Sequence, residues 1–236
     1  SIFVNPIQFG PKEDFKKYPR PIKKDLKLCR DLGVDLVFYP KKEEMYSEDF
    51  KTYVFVENLS NVLCGKYRPG HFRGVTTVVA KLFNLVQPDI AYFGQKDAQQ
   101  AIIIKKMVKD LNFPVSIKVI PTVRDTDGLA LSSRNLYLNR NEREDALCLF
   151  EALNLAKELI LRGEKDSYKI IKEMKKIIQK KKSAKVQYIE IVDLKELRPV
   201  RYIDKPILIA LAVFIGNTRL IDNLILSPEG KELCLN

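Results

Sequence analysis

From Gly74 to Ile120 the chain alternates between two apolar patterns, and that alternation limits the fold it can adopt. Gly74 to Val86 places Val75, Val78, Val79, Leu82 and Leu85 at helical spacing, and Pro88 follows. Ile90 to Phe93 is a short apolar run of strand character. Asp97 to Leu111 returns to helical spacing, and Val115 to Ile120 to strand. A strand, a helix and a strand in succession need a crossover, so the strands are expected side by side and parallel. Upstream, Ser1 to Val4, Val34 to Tyr39 and Thr52 to Val56 read as further strands. Pro21 to Leu32 reads as a helix carrying Leu26, Leu28 and Leu32 and stopping at Gly33.

After Pro121 the order changes. Helices are predicted around 141 to 162 and 167 to 182, and three β-rich segments follow: Val186 to Val192, Pro206 to Gly216 and Arg219 to Leu226. Helices followed by consecutive strands predict an α+β unit with an antiparallel sheet. The expected fold is α/β, with a parallel-sheet domain over 1–122 and a smaller α+β domain over 123–236.

Composition excludes several classes. Hydrophobic residues make up 46% of the 236 positions, too many for a generally disordered chain. The longest apolar run, Ile207 to Ile215, is far short of the ~20 residues of a membrane helix. Ser1-Ile2-Phe3-Val4 has no charged leader and runs into Asn5-Pro6, so a cytoplasmic protein without membrane partners is expected. Cys29, Cys64, Cys148 and Cys234 are scattered without CxxC spacing. With one histidine they make no zinc set, and reduced structural thiols are expected.

The net charge is +11, from 41 basic and 30 acidic residues. Its densest part, Lys172 to Lys185, has Ile171, Met174, Ile177 and Ile178 at helical spacing, so an amphipathic helix with a solvated basic face explains it. No aromatic residues interleave the lysines, and nucleic acid is not expected as a partner.

Three polar clusters stand at the ends of apolar runs: Arg68 to Gly74, Tyr92 to Gln100, and Asp127 to Asn135. Each offers groups suited to anions. In open α/β sheets, ligands bind beyond the carboxyl ends of the strands. Lys96 follows a strand and a glycine and opens a helix, where free N–H groups and the helix dipole favour an anion. Ser132, Ser133 and Arg134 can clamp phosphate oxygens, or the serines can simply cap a helix. Gln8 and Gln100 are neutral amides able to pair substrate oxygens, and Gln100 lies one turn after Lys96. His71 reads as a loop organiser or helix cap rather than a general base, since no carboxylate lies near it in sequence.

Together these segments resemble the pantoate–β-alanine ligase (pantothenate synthetase) family. The matching runs are Ser1 to Phe9, Tyr18 to Arg20, Arg68 to Gly74, Lys81 to Asp89, Tyr92 to Gln100, Gly128 to Tyr137 and Thr218 to Asn223. The resemblance implies a Rossmann-like nucleotidyltransferase domain with a smaller C-terminal lid. It implies an ATP- and Mg²⁺-dependent reaction through pantoyl adenylate, with pyrophosphate and then AMP released, in a homodimer. It places Gln8 and Gln100 on pantoate, with Asn5 and Arg68 nearby. It places Gly94, Gln95, Lys96, Asp97, Val123, Leu131, Ser132, Ser133 and Arg134 on ATP, with Lys96, Arg134, Ser132 and Ser133 carrying the chemistry. No residue is assigned to a metal.

One departure stands out. The family carries a His-x-Gly-His motif ahead of its SIFVNP strand, and the 236 residues contain none. The chain as written is therefore expected to be a poor catalyst. The alternatives to a ligase are a fragment that binds pantoate or nucleotide without turnover, and a basic nucleic-acid-binding module.

Overall fold

A helix that crosses over between two parallel strands organises the first half of the molecule. The computed structural model describes residues 1–11 and 13–235. Its helices in that half are α1 (Ile22–Asp31), the short α2 (Lys42–Met45) and α3 (Cys64–Tyr67), α4 (His71–Val86) and α5 (Ala98–Asp110). Strand β1 (Ile90–Gly94) pairs in parallel with β2 (Ser116–Ile120), with Ile90 opposite Ser116 and Gly94 opposite Ile120. Helix α5 makes the crossover, as the alternation predicts.

Three more helices follow: α6 (Arg140–Asp145), α7 (Cys148–Leu161) and α8 (Ser167–Gln179). Asp166 starts α8 by accepting from the Tyr168 and Lys169 amides at 2.9 and 3.3 Å. Strands β3 (Ala184–Asp193), β4 (Ile207–Ile215) and β5 (Thr218–Leu226) then form an antiparallel sheet in that order.

The sheet is buried on both faces, which is why β4 reads as an unbroken apolar run. One face presents Tyr188, Val192, Leu208, Ala210, Ala212 and Ile225 to a core shared with Phe72, Val75, Ile103, Ile104 and Met107 of α4 and α5. The other face presents Ile189, Ile191, Ile209, Leu211 and Val213 to Leu149, Leu153, Ile170, Met174 and Ile178 of α7 and α8. The basic segment is an amphipathic helix only as far as Gln179, short of the expected end at 182; Lys180 to Ser183 turn the chain and Lys185 lies in β3. All four cysteines are free, and among the described residues no helix is long and apolar enough to cross a membrane.

Three expected strands are corrected. Ser1 to Val4, Val34 to Tyr39 and Thr52 to Val56 belong to no ladder. A strand exists only through its neighbours' hydrogen bonds. Here the Ile2 amide reaches the Phe38 carbonyl at 2.9 Å. Val54 instead satisfies its N–H and C=O on the hydroxyls of Thr77 and Thr76 in α4, at 3.0 and 2.6 Å. Two helices also differ in detail. Leu26, Leu28 and Leu32, at the spacing expected of a buried stripe, are 38, 56 and 73% exposed. The predicted helix over 141 to 162 breaks at Ala146 and Leu147 into α6 and α7.

Candidate active site

Gly94 ends β1, and Gln95–Asp97 forms a single 3₁₀ turn before α5. That turn puts Lys96 at the mouth of a 60 Å³ cavity, where Arg68, His71, Gln100, Arg134 and Arg219 also meet. A larger cleft of 980 Å³ adjoins it, lined on one side by Gly10, Pro11 and Glu13 to Lys17 and on the other by Arg68, Arg134 and Arg219. Lys96 and Arg134 also share a smaller recess with Ser132. Residues drawn from five separate parts of the chain thus converge on one place.

The arginines are not free. The Arg134 guanidinium donates from Nε and Nη2 to both carboxylate oxygens of Asp14, at 2.9 and 2.8 Å. Arg68 does the same with Glu13, its Nε 2.7 Å from Oε1. Burial alone would raise both carboxyls, but the arginine forks outweigh it and hold them below the usual carboxylate range. Two successive acidic residues therefore occupy the groups an anionic ligand would use.

His71 braces Arg68. Its Nδ1 lies 2.8 Å from the Gln8 carbonyl oxygen and its Nε2 3.0 Å from Arg68 Nη1. A carbonyl only accepts and a guanidinium only donates, so the ring is neutral, protonated at Nδ1 and accepting at Nε2. Burial pushes its pKa down to about 4, with the Arg68 charge acting in the same direction. His71 organises the loop, as expected of it.

Gln8 belongs to the Pro6–Gln8 turn, which rests on α4 at Gly74. A Cβ at Gly74 would sit 2.5 Å from the Ile7 carbonyl oxygen and 2.7 Å from the Gln8 backbone. Only glycine allows that approach. Asn5 is buried. It donates to the Gly74 carbonyl at 3.0 Å and to Gln8 Oε1 at 3.2 Å, and accepts from the Tyr46 hydroxyl at 2.8 Å. Its amide is committed to fixing the turn.

The other predicted residues divide. Gln95 is buried with its amide turned toward Leu233 and Leu235 of the C-terminal segment, and it lines none of the cavities around Lys96 and Arg134. Asp97 is exposed, 3.9 Å from Lys96 Nζ. Ser132 accepts from the Arg134 amide at 3.3 Å and so caps the 3₁₀ turn Ser133–Tyr137, while Ser133 is exposed. Val123 and Leu131 are joined through the Leu131 amide and Val123 carbonyl at 3.0 Å, with both side chains exposed.

Three more residues, all on β5, help to build the site. Arg219 lines all three hollows and donates to Gln187 Oε1 at 2.9 Å. Asp222 takes the Arg124 fork at 2.6 and 2.9 Å. Asn223 Nδ2 donates to the carbonyls of Gln95 and Lys96, each at 2.8 Å. A charged or amide side chain inside an apolar strand needs a partner, and that is the sequence signal they carry.

The model of the family described as "Pantoate-beta-alanine ligase" matches residues 1–225. The chain belongs to the pantoate-beta-alanine ligase family. Its similarity to relatives in that family is high. It is 56% identical over 225 residues to the pantothenate synthetase of Caldicellulosiruptor saccharolyticus, covering 95% of this chain and 80% of that one. It is 57% identical to the enzyme of Moorella thermoacetica, with 96% and 80% covered. The crystal structure of pantothenate synthetase from Thermus thermophilus superposes with a TM-score of 0.91 at 44% identity, covering 94% of this chain and 81% of that one. The ligase from Francisella tularensis, solved with beta-gamma ATP and beta-alanine, has a TM-score of 0.74 at 34% identity, with 95% and 77% covered. Pantoate-beta-alanine ligases share the nucleotidyltransferase fold, and this chain has its parallel pair with crossover helix and its antiparallel C-terminal sheet.

Proposed function

We propose that this chain is a pantoate–β-alanine ligase that activates pantoate as its adenylate. The observation that carries the reading is the convergence of Lys96, Arg68 and Arg134 with the Gln100 amide around one cavity at the end of β1, in a chain of this family. The pantoate carboxylate attacks the α-phosphorus of ATP, the acyl–O–P bond forms, and pyrophosphate leaves. The β-alanine amine then attacks the acyl carbon and AMP leaves. Both nucleophiles come from substrates, so the protein's work is alignment and charge.

Lys96 and Arg134 face the phosphates, with Ser132 and Ser133 beside them. Gly94, Gln95 and Asp97 frame the nucleotide through the turn after β1. Val123 and Leu131, apolar and exposed, suit the base. Gln100 and Gln8 pair pantoate oxygens, with Asn5 fixing Gln8 and Arg68 near the carboxylate. Among the described residues no group of three or more His, Cys, Asp or Glu side chains is disposed to hold a metal, and Glu13 and Asp14 are bound to arginines. Mg²⁺, on this reading, would belong to the ATP co-substrate and would supply charge neutralisation of its phosphates. The same reading takes residues 1–122 as the nucleotide and pantoate domain, 123–236 as its lid, and a cytoplasmic homodimer as the working form.

The test is pyrophosphate release by purified protein with ATP, with and without pantoate, followed by pantothenate formation on adding β-alanine. Release that requires pantoate, even if slow, is the expected result. Binding of pantoate and ATP without release would overturn the ligase reading in favour of a binding protein.

A further inference from the structure

We propose that Asp222 and Asn223 are a pair of positioning residues that moor the two phosphate-facing loops to opposite faces of strand β5. The proposal rests on the ligase reading for what the loops do, and on the structure alone for how they are held.

Neighbouring residues of a strand point to opposite faces. Asn223 pairs with Ala210, and Ala210 and Ile225 belong to the core shared with α4 and α5. Asp222 pairs with Leu211, and Leu211, Leu220 and Leu226 belong to the core under α7 and α8. Asn223 thus looks toward the β1 side and Asp222 away from it. Both are buried, at 5 and 3% exposure.

On its face, the Asn223 amide group donates one hydrogen to each of two successive carbonyls, Gln95 and Lys96. This defines the turn that carries Lys96. Asn223 Oδ1 has no hydrogen-bond partner among the described residues, so the side chain serves the turn as a donor. On the other face, Asp222 receives both arms of the Arg124 guanidinium. Arg124 also donates to the Gly128 carbonyl at 3.0 Å and lies 4.7 Å over the Phe150 ring of α7. Arg124 bridges to Ala130, four residues before Arg134. One peptide unit of β5 therefore references the Lys96 turn on one side and the Arg134 loop on the other.

The experiment uses Asn223→Asp, Asn223→Ala and Asp222→Asn in the full chain. Aspartate at 223 keeps the shape and replaces the donor with an acceptor facing two carbonyls. Asparagine at 222 cannot accept both arms of the fork. Amide exchange read by mass spectrometry should quicken at residues 95–100 in both Asn223 variants and at 124–134 in Asp222→Asn, with α8 unchanged. Pantoate-dependent turnover should fall by about 10²-fold, the scale of a ~1 Å misplacement, while the KM for pantoate stays within about twofold. Unchanged exchange at both loops, or exchange quickened equally in α8, would overturn the mooring. Wild-type protein run alongside judges the ligase reading separately. If it releases no pyrophosphate but the loops respond as described, the ligase reading falls and the mooring stands.

Discussion

Arg134 is held by Asp14, 120 residues away in the chain, through two hydrogen bonds of 2.9 and 2.8 Å that fill its guanidinium fork. A phosphate that takes the same fork must displace the carboxylate. Both side chains are partly buried and the contact is bidentate, so the pair contributes at the upper end of the range for such pairs, about 1 kcal/mol. Asp14→Asn should therefore tighten ATP binding by up to about fivefold, measured by calorimetry with a non-hydrolysable analogue. Weaker binding would mean that Asp14 supports the site rather than competes for it.

In a complete chain, Lys96→Ala should abolish most adenylation and leave the fold intact. The side chain sits at the cavity mouth beside Arg134, where loss of one charge-stabilising donor costs roughly 10²–10³ in rate. Pyrophosphate release followed in a coupled assay is the check. A well-folded variant with near-normal release would exclude this role for Lys96.

Gln100→Ala should weaken pantoate far more than ATP. Substrate oxygens left unpaired in a buried site cost about 1–3 kcal/mol, roughly 5–150-fold in Kd. Titration of each ligand separately decides it, and equal weakening of both would assign Gln100 to loop support.

His71 makes a prediction about pH. Its pKa in the fold is about 4, against about 6.5 in an unfolded chain. Between those values the unfolded chain binds a proton that the folded one refuses. Stability therefore falls as pH drops from 6.5 toward 4, and this contribution levels off below. The charges around the ring are Arg68, Glu13 and Asp97. Glu13 and Asp14, held low by their arginines, add their own loss at lower pH, in wild type and variant alike. Denaturant melts of His71→Gln should show a shallower slope across that window than wild type. Equal slopes would locate the proton elsewhere.

Gly74→Ala should destabilise the protein by about 1–3 kcal/mol, the usual cost of an overpacked contact. At this length each kcal/mol lowers Tm by about 2–4 °C. Pantoate affinity should fall with it, since the added methyl pushes on the Gln8 backbone. A variant with unchanged Tm would show that the turn can move aside freely.

Much of the architecture is visible in the chain before any coordinates. Amphipathic spacing in α4, α5 and α8 is a local signal, and the two strands around α5 follow from it. Ser1 to Val4, Val34 to Tyr39 and Thr52 to Val56 are apolar enough for strands, but a ladder is a relation between distant segments and leaves no local mark. The site divides in the same way. Lys96 and Arg134 stand out because glycine and strand ends frame them. Glu13 and Asp14 look like ordinary surface acids, since their arginines lie 55 and 120 residues away. Asp222 and Asn223 announce themselves only as two polar residues in a strand that otherwise has no use for them.

With one loop tied to each face of β5, a single strand holds both loops at the cavity they share. The gap between the cation after β1 and the cation of the Arg134 loop is then gauged from the thickness of a single strand, not from the length of either loop. Residues can be gained or lost in the connections on either side, and the gauge stays the same so long as two adjacent side chains keep facing opposite ways.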